Sequence, residues 1–295
     1  MRILITGANG FLGHYLVPAL LEKGYNVLAT GKGECRLQMP AHPGFRYGNL
    51  DFTDAGAVAN VMEDFRPDLV LHAGAMSKPD ECELQPEAAL LVNTTATGYL
   101  LTEAARHKAF FLFISTDFVF DGERGMYQEE DSPAPVNYYG ETKRLAEKLV
   151  MQYPYGWSVV RTVLVYGQPL AGRSNILSIV KEKLESGETY KVVDDQWRTP
   201  TFVGDLANGI LLIAEKLAAG IWHLSGKELL TPYEMACKTA DYLQLDKTRL
   251  MRVTADTFTQ PARRPPRTGF VINKAAAELG YNPVSFEEGL KRTFG

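Results

Sequence analysis

Short apolar and β-branched runs recur at 2–6, 26–30, 68–71, 109–115 and 157–163, separated by helix-length stretches whose apolar residues return every third or fourth position. Strand alternating with helix predicts an α/β protein built on a doubly wound parallel sheet. After Gly10, the residues Leu12, Leu16, Ala19 and Leu20 share one helical face, and Gly24 is placed to end that helix. Past residue 165 the alternation loosens. "GQPLAGRSN" reads as a loop, 175–186 as a helix, and "TPTFVGDLANGILLIAEKL" opens another helix that returns to the sheet. Helical segments near 232–243, 273–279 and 286–293 flank "QPARRPPRTGF", whose prolines exclude helix. The expected division is a larger domain over 1–165 plus roughly 194–222, with 166–193 and 223–295 forming a smaller, interleaved one.

Composition narrows the class without changing that picture. The 295 residues are 45% hydrophobic and 22% charged, which fits a soluble globular chain large enough for a substantial core. Net charge is −4 and no basic run is long enough to suggest a nucleic-acid or membrane surface, so an anionic ligand must be met locally. Cys35, Cys82 and Cys237 lie far apart without metal-ligand spacing, and no metal site is expected. The chain runs from Met1 straight into "RILITGANG", and no apolar run reaches about 18 residues. A cytoplasmic protein is expected.

"ITGANGFLG" sets Gly7, Gly10 and Gly13 between the first strand and the first helix, with Asn9, Phe11 and Leu12 in the same turn. Glycines there permit a tight turn and close approach of backbone to a pyrophosphate, which sits at the positive end of the helix. Strand-to-helix turns often need glycine for φ alone, so the surrounding strand and helix carry the assignment to a dinucleotide. Where an NAD-preferring site commonly places Asp or Glu, the second strand ends in Gly31 and Lys32; Lys32, with Arg36 nearby, favours NADP, NADPH being the preferred reductant.

"NYYGETKRLAEKL" places Tyr139 and Lys143 one helical turn apart on one side. An ammonium beside a phenol favours phenolate and brings the tyrosine into range for proton transfer near neutral pH. Such a pair is common by chance as an exposed helical couple. Joined to the glycine turn and to the strand end "FFLFISTDFVF", where Ser115 and Thr116 close an apolar strand, it becomes specific. Thr116 then stands at the carboxyl edge of the sheet, where open α/β folds bind ligands. Ser115 points the other way by strand alternation.

With these residues in place, the chain resembles an extended short-chain dehydrogenase/reductase, and within that superfamily the dTDP-4-dehydrorhamnose reductase family, over nearly its full length. The matching segments are "GANGFLG", "LDFTD", "PDLVLHAGAMSKPDECELQP", "VNTTA", "STDFVFDG", "YQEEDSPAPVNYYGETKRLAE", "RTVLVYG", "VVDDQWRTPTFVGDLA", "GIWHLSG" and "RRPPRTGFVIN". The resemblance implies a Rossmann-like fold and reduction of the C4 ketone of a nucleotide-linked deoxysugar. By it, Thr116 would hydrogen-bond the carbonyl, Tyr139 would donate the proton, and Lys143 would hold the nicotinamide ribose. Asp51 and Phe52 match adenine-contacting positions, Ala73, Gly74 and Ala75 the turn along the cofactor, Asn93 a supporting helix position, and Val163 to Val165 the border of the nicotinamide. Ser77, Lys78, Phe118, Asn175, Gln196, Arg198 and Arg264 are expected against the sugar nucleotide, Arg264 facing its diphosphate. Relatives include monomers and homodimers.

Asp117 is followed by Phe118 where nucleotide-sugar dehydratases carry an Asp-Glu pair, which argues against elimination of water. A 4-epimerase needs no more than the Thr-Tyr-Lys set, and a non-catalytic NADP-binding regulatory subunit, as in methionine adenosyltransferase, would share it. Two departures concern the pocket: Leu164 stands where the reductases usually have tryptophan, and Arg198 where the better-known ones carry glycine. Arg198 either pairs with a ligand anion or is a solvated loop residue. His72 is expected to be structural.

Overall fold

The computed structural model describes residues 1–170 and 174–295. Among them run eleven strands: β1 (Arg2–Thr6), β2 (Asn26–Gly31), β3 (Phe45–Asn49), β4 (Leu69–His72), β5 (Phe110–Thr116), β6 (Trp157–Thr162), β7 (Val165–Tyr166), β8 (Tyr190–Val193), β9 (Thr201–Phe202), β10 (Gly220–His223) and β11 (Leu250–Val253). Seven of them form one parallel sheet in the order β10-β6-β5-β4-β1-β2-β3. The order reverses between β1 and β4, the position where open sheets of this kind bind ligands. The five apolar runs read from the sequence are five of these strands. β3 and β10 escaped that reading because both are edge strands: β3 has no fully buried position, and β10 is a four-residue run opened by glycine.

The described residues also form ten α-helices: α1 (Gly13–Glu22), α2 (Ala55–Phe65), α3 (Pro79–Leu84), α4 (Pro86–Leu90), α5 (Ala96–Arg106), α6 (Tyr138–Met151), α7 (Ile176–Glu185), α8 (Val203–Lys216), α9 (Pro232–Tyr242) and α10 (Phe286–Phe294). Alternation along the strands divides the core in two. Ile3, Ile5, Leu69, Leu71 and Leu112 pack towards α1 and α8, while Leu4, Val70, Phe111 and Phe113 pack towards α2, α5 and α6. Leu16 and Leu20 of α1 are fully buried, each stabilising by roughly 1.5–3 kcal/mol relative to exposure. A separate, smaller core joins α7, α9, β8 and β11 through Val180, Leu184, Val192, Ala236, Ala240 and Leu250.

One charged cluster lies inside the sheet layers. Glu147 of α6 and Arg161 of β6 are each 1% exposed and pair through two bonds, Nη2 to Oε2 at 2.8 Å and Nε to Oε1 at 3.0 Å. Ser115 of β5 donates to the same carboxylate at 2.5 Å, and Arg161 Nη1 lies 3.4 Å from His223 Nε2 on β10. The cluster therefore ties three adjacent strands to α6. Removing one partner of such a pair strands a buried charge, which typically costs about 3–5 kcal/mol. Arg161→Met is expected to lower folding stability by about that much in urea denaturation, and Arg161→Met with Glu147→Leu to recover most of it. A loss below about 1 kcal/mol in the single variant would remove the cluster from this role.

Candidate active site

The glycine turn links β1 to α1 and is shaped by what its residues lack. Gly7 has φ +71°, and a Cβ there would lie 2.7 Å from the Gly74 backbone; a Cβ on Gly13 would lie 1.9 Å from Ala8 O. The first therefore lets the turns after β1 and β4 touch, and the third lets α1 start against the strand. No side chain caps the N-terminus of α1, leaving the amides of its first turn free of an internal acceptor from its own cap residue. An uncapped helix start behind a side-chain-free turn fits a dinucleotide pyrophosphate. Phe11 and Leu12 turn away to pack with Tyr166 and Phe202.

Asn9 is buried and braces the loop that follows β2. Its Nδ2 donates to the Tyr47 hydroxyl at 2.7 Å and to Glu34 O at 2.9 Å, and its Oδ1 accepts from Arg36 N at 2.9 Å. His14 spans Gly10 O and Arg36 O, both at 3.0 Å. The 31–36 segment is thus fastened to the glycine turn. Lys32 follows Gly31 and forms an exposed ion pair with Asp51 at 2.8 Å. Phe52 packs its ring edge on His72, and a Cβ at Gly74 would strike that ring at 2.4 Å. The Ala73 to Ala75 turn consequently lies flat beside Phe52.

His72 is held on both ring nitrogens, by Thr6 Oγ1 at 2.6 Å and Thr97 Oγ1 at 3.1 Å. Burial first, then the charge of Lys143, pulls its pKa down to about 3. A neutral, doubly hydrogen-bonded imidazole is structural, as expected. Asn93 sits in a single π-helical turn, Leu91–Thr95, between α4 and α5. Its side chain accepts from Met76 N at 2.8 Å and donates to Met76 O at 3.0 Å and to Thr142 Oγ1 at 3.0 Å. Through Asn93 the turn after β4 is fixed to α6.

Asn137 caps α6 by accepting from Gly140 N at 2.9 Å, so Tyr139 and Lys143 fall in its first two turns. Both are largely buried. Lys143 Nζ donates to Ile114 O on β5 at 2.7 Å and sits 3.9 Å above the Phe113 ring. Desolvation first, opposed by the Glu147 carboxylate, lowers its pKa to about 7. The Tyr139 ring meets Phe118 edge-on at 5.9 Å. Thr116 ends β5 and caps the short turn Asp117–Val119, accepting from Phe118 N at 3.3 Å. Ser115 is turned to Glu147, away from Thr116. Val163 is fully buried with Val119, Phe120 and Phe270, whereas Leu164 is 39% exposed at φ +32°, a backbone position uncommon for leucine.

The residues expected against the sugar nucleotide are already engaged by protein partners. Asn175 caps α7, accepting from Leu177 N at 3.1 Å, and donates to Gly167 O at 2.7 Å. Lys78 pairs with Glu81 at 2.5 Å, and Ser77 borders the turn held by Asn93. Arg264 is clasped by Asp80, Nη1 to Oδ1 at 2.5 Å and Nη2 to Oδ2 at 2.6 Å. Arg198 corrects the solvated alternative: it is 4% exposed and donates to Pro265 O at 2.7 Å, Trp197 O at 2.8 Å, Pro266 O at 3.1 Å and Gln196 Oε1 at 3.2 Å. Gln196 and Arg264 line a cavity of about 290 Å³ with Tyr190, Val193 and Phe258. Asp80, Glu147 and Tyr47 were missed; Glu147 alone had a signal, standing four residues beyond Lys143.

A family model described as RmlD substrate binding domain matches residues 1–295. Methionine adenosyltransferase 2 subunit beta of Mus musculus is 36% identical over 299 residues, covering 99% of this chain and 86% of that protein. The probable low-salt glycan biosynthesis reductase Agl14 of Haloferax volcanii is 30% identical over 295 residues, covering 98% and 96%. Among solved structures, dTDP-4-dehydrorhamnose reductase from Bacillus anthracis in complex with NADP matches with a TM-score of 0.87 at 29% identity, covering 99% of this chain and 98% of that one. With the family model matched from first residue to last, on a fold shared with the dTDP-4-dehydrorhamnose reductase of Bacillus anthracis, the chain belongs to the RmlD substrate binding domain family of extended short-chain dehydrogenase/reductases.

Proposed function

We propose that the protein reduces the C4 ketone of a nucleotide-linked 4-keto-6-deoxysugar, dTDP-4-dehydrorhamnose being the first candidate, with NADPH as reductant. The observation that carries this reading is the convergence of Tyr139 and Lys143 on α6 with Thr116 at the end of β5, at the carboxyl edge of the sheet that also bears the glycine turn. NADPH, when bound, supplies the hydride. Tyr139 gives its proton to the ketone oxygen, and Lys143 supplies positive charge beside it as the proton leaves. Lys32 is the group offered to a 2′-phosphate, in exchange for Asp51. Gln196 and Arg264, at the 290 Å³ cavity, serve the nucleotide end. The domain division at residue 165 and a cytoplasmic site of action belong to the same reading; no described helix is long and apolar enough to cross a membrane.

The likeness to methionine adenosyltransferase 2 subunit beta supports a second reading, an NADP-binding regulatory subunit that turns nothing over. A 4-epimerase is the remaining enzymatic alternative. Loss of NADPH absorbance with dTDP-4-dehydrorhamnose separates the reductase from both, with NADH and with GDP- and UDP-linked keto-sugars run in parallel. The reductase reading expects rapid oxidation, and Tyr139→Phe should lower kcat by about 10²–10⁴-fold while leaving NADPH binding nearly intact. NADPH that binds yet is never oxidised by any of these sugars would overturn the reductase reading, and chromatography of the sugar nucleotides for a C4 epimer would then divide the epimerase from the regulatory subunit.

Lys143 makes a prediction that needs no substrate. Its native pKa of about 7 lies below the 10.4 or so of an unfolded lysine, so between those values the unfolded chain binds more protons. Stability from this group is therefore least below about pH 7 and rises as pH climbs towards about 10. The urea midpoint of the wild type should rise from about pH 7 to about pH 9 relative to that of Lys143→Met. Parallel curves would show that Lys143 is not desolvated.

A further inference from the structure

Arg198 is 4% exposed, yet its guanidinium acts on a cavity wall through one neighbour. Nη1 donates to Trp197 O at 2.8 Å and Pro266 O at 3.1 Å, Nη2 to Pro265 O at 2.7 Å and Gln196 Oε1 at 3.2 Å, and Nε faces Asp117 Oδ2 at 3.8 Å. All five N–H directions are thus engaged within the protein, and none is left for a ligand. A guanidinium has no acceptor, so the Gln196 atom turned to it must be the amide oxygen. The nitrogen, Nε2, lies on the other branch of the amide, away from Arg198, and no described residue accepts from it. Gln196 forms part of the wall of the cavity of about 290 Å³. Besides the Tyr190 hydroxyl, the polar side chains of that wall among the described residues are Lys191, Gln196, Gln260 and Arg264, with no carboxylate among them.

We propose that Arg198 is a positioning residue that fixes the Gln196 amide with its oxygen inward, so that the cavity offers an N–H and selects a nucleotide oxygen able to accept it. This deepens the reductase reading and rests on its assignment of the cavity to the nucleotide end of the substrate. A free glutamine side chain presents oxygen or nitrogen with equal ease, because a half-turn about its last bond exchanges them. Held by Arg198, it presents nitrogen alone. The matching acceptors are a phosphate oxygen and a keto oxygen of the base. An exocyclic amino group, which only donates, would leave two donors face to face, and an unpaired polar group out of water costs more than a matched one gains. Arg264, clasped by Asp80 at the same wall, adds donors of the same sense. An arginine without access to any ligand therefore bears on selectivity through the one side chain that it orients.

The test is calorimetric titration of the full chain with dTDP and with thymidine, which needs no turnover. Gln196→Glu keeps an oxygen on Arg198 and puts a second oxygen in the place of Nε2, whereas Gln196→Met removes both. Affinity for dTDP should fall about threefold to tenfold in Gln196→Met and at least about tenfold further in Gln196→Glu, where acceptor faces acceptor. A loss confined to dTDP assigns Nε2 to a phosphate oxygen and an equal loss with thymidine assigns it to a base carbonyl, either of which supports the proposal. Wild-type affinity for dTDP in Gln196→Glu would overturn it, as would a wild type that binds neither ligand. Should the glutamate variant not fold, an unchanged affinity in Gln196→Met overturns it equally. The part played by Arg198 is read from a cycle: Arg198→Lys keeps the charge beside Asp117 and loses the fork that holds Gln196. It should weaken dTDP binding about threefold to tenfold alone and less than about twofold in the Gln196→Met background. Equal losses in both backgrounds would leave Arg198 a structural residue and refute its role. If dTDP binds with this pattern while no keto-sugar oxidises NADPH, the reductase reading falls and the proposal stands.

Discussion

The Glu147–Arg161 pair fixes the orientation of the helix that carries Tyr139 and Lys143. Tyr139, Lys143 and Glu147 recur every fourth residue on α6, so one side of the helix carries all three. A glutamate with 1% exposure, bonded twice to an arginine of β6 and once to Ser115, leaves that side no freedom to rotate. Lys143 is thereby pressed onto β5 and Tyr139 brought level with the strand end. Buried ion pairs contribute little net stability against a well-packed apolar alternative. What this one supplies is register between a helix and three strands.

Positive charge elsewhere around the cleft is already balanced by carboxylates of the same protein: Lys32 by Asp51, Arg264 by Asp80 and Arg198 by Asp117. The three pairs differ in what a ligand can do with them. Lys32 and Asp51 are solvent-exposed, and such pairs are worth about 0–1 kcal/mol, so a phosphate can displace the carboxylate at small cost. Arg264 is bidentate and mostly buried, so it can be shared only by a ligand that approaches with Asp80 still in place. Arg198 has no exposed face to offer. Two of its carbonyl acceptors lie on the 265–266 segment and its Nε faces Asp117, so it joins that segment to the turn that follows β5.

What was legible in the sequence was what rests on local geometry. Buried central strands are continuous apolar runs, glycine turns show where Cβ is forbidden, and a Tyr-Lys spacing of four shows on any helix. The edge strands β3 and β10 gave weaker signals because one has no fully buried position and the other is only four residues long. The partners of Arg198 and Arg264 were illegible for a different reason. Asp117 and Asp80 reach them across the chain through loops whose paths no periodicity describes, and a lone arginine in a proline-rich stretch looks the same whether clasped or solvated. Asn175 was read as a ligand contact, and its side chain in this structure serves first as a helix cap, a role that a loop-to-helix boundary could have indicated.

The fold alone does not distinguish a reductase from a dinucleotide-binding subunit, since the glycine turn, the Asn9 brace and Lys143 serve both. The buried Asp117–Arg198 pair serves both as well, because it ties the turn after β5 to the 265–266 segment whether or not a sugar is turned over. The difference lies in the fate of the Tyr139 proton: a reductase must give it to a ketone as hydride arrives, whereas a subunit that only held the dinucleotide would never part with it. The two readings therefore share every feature that positions the cofactor and divide only at the step that consumes it.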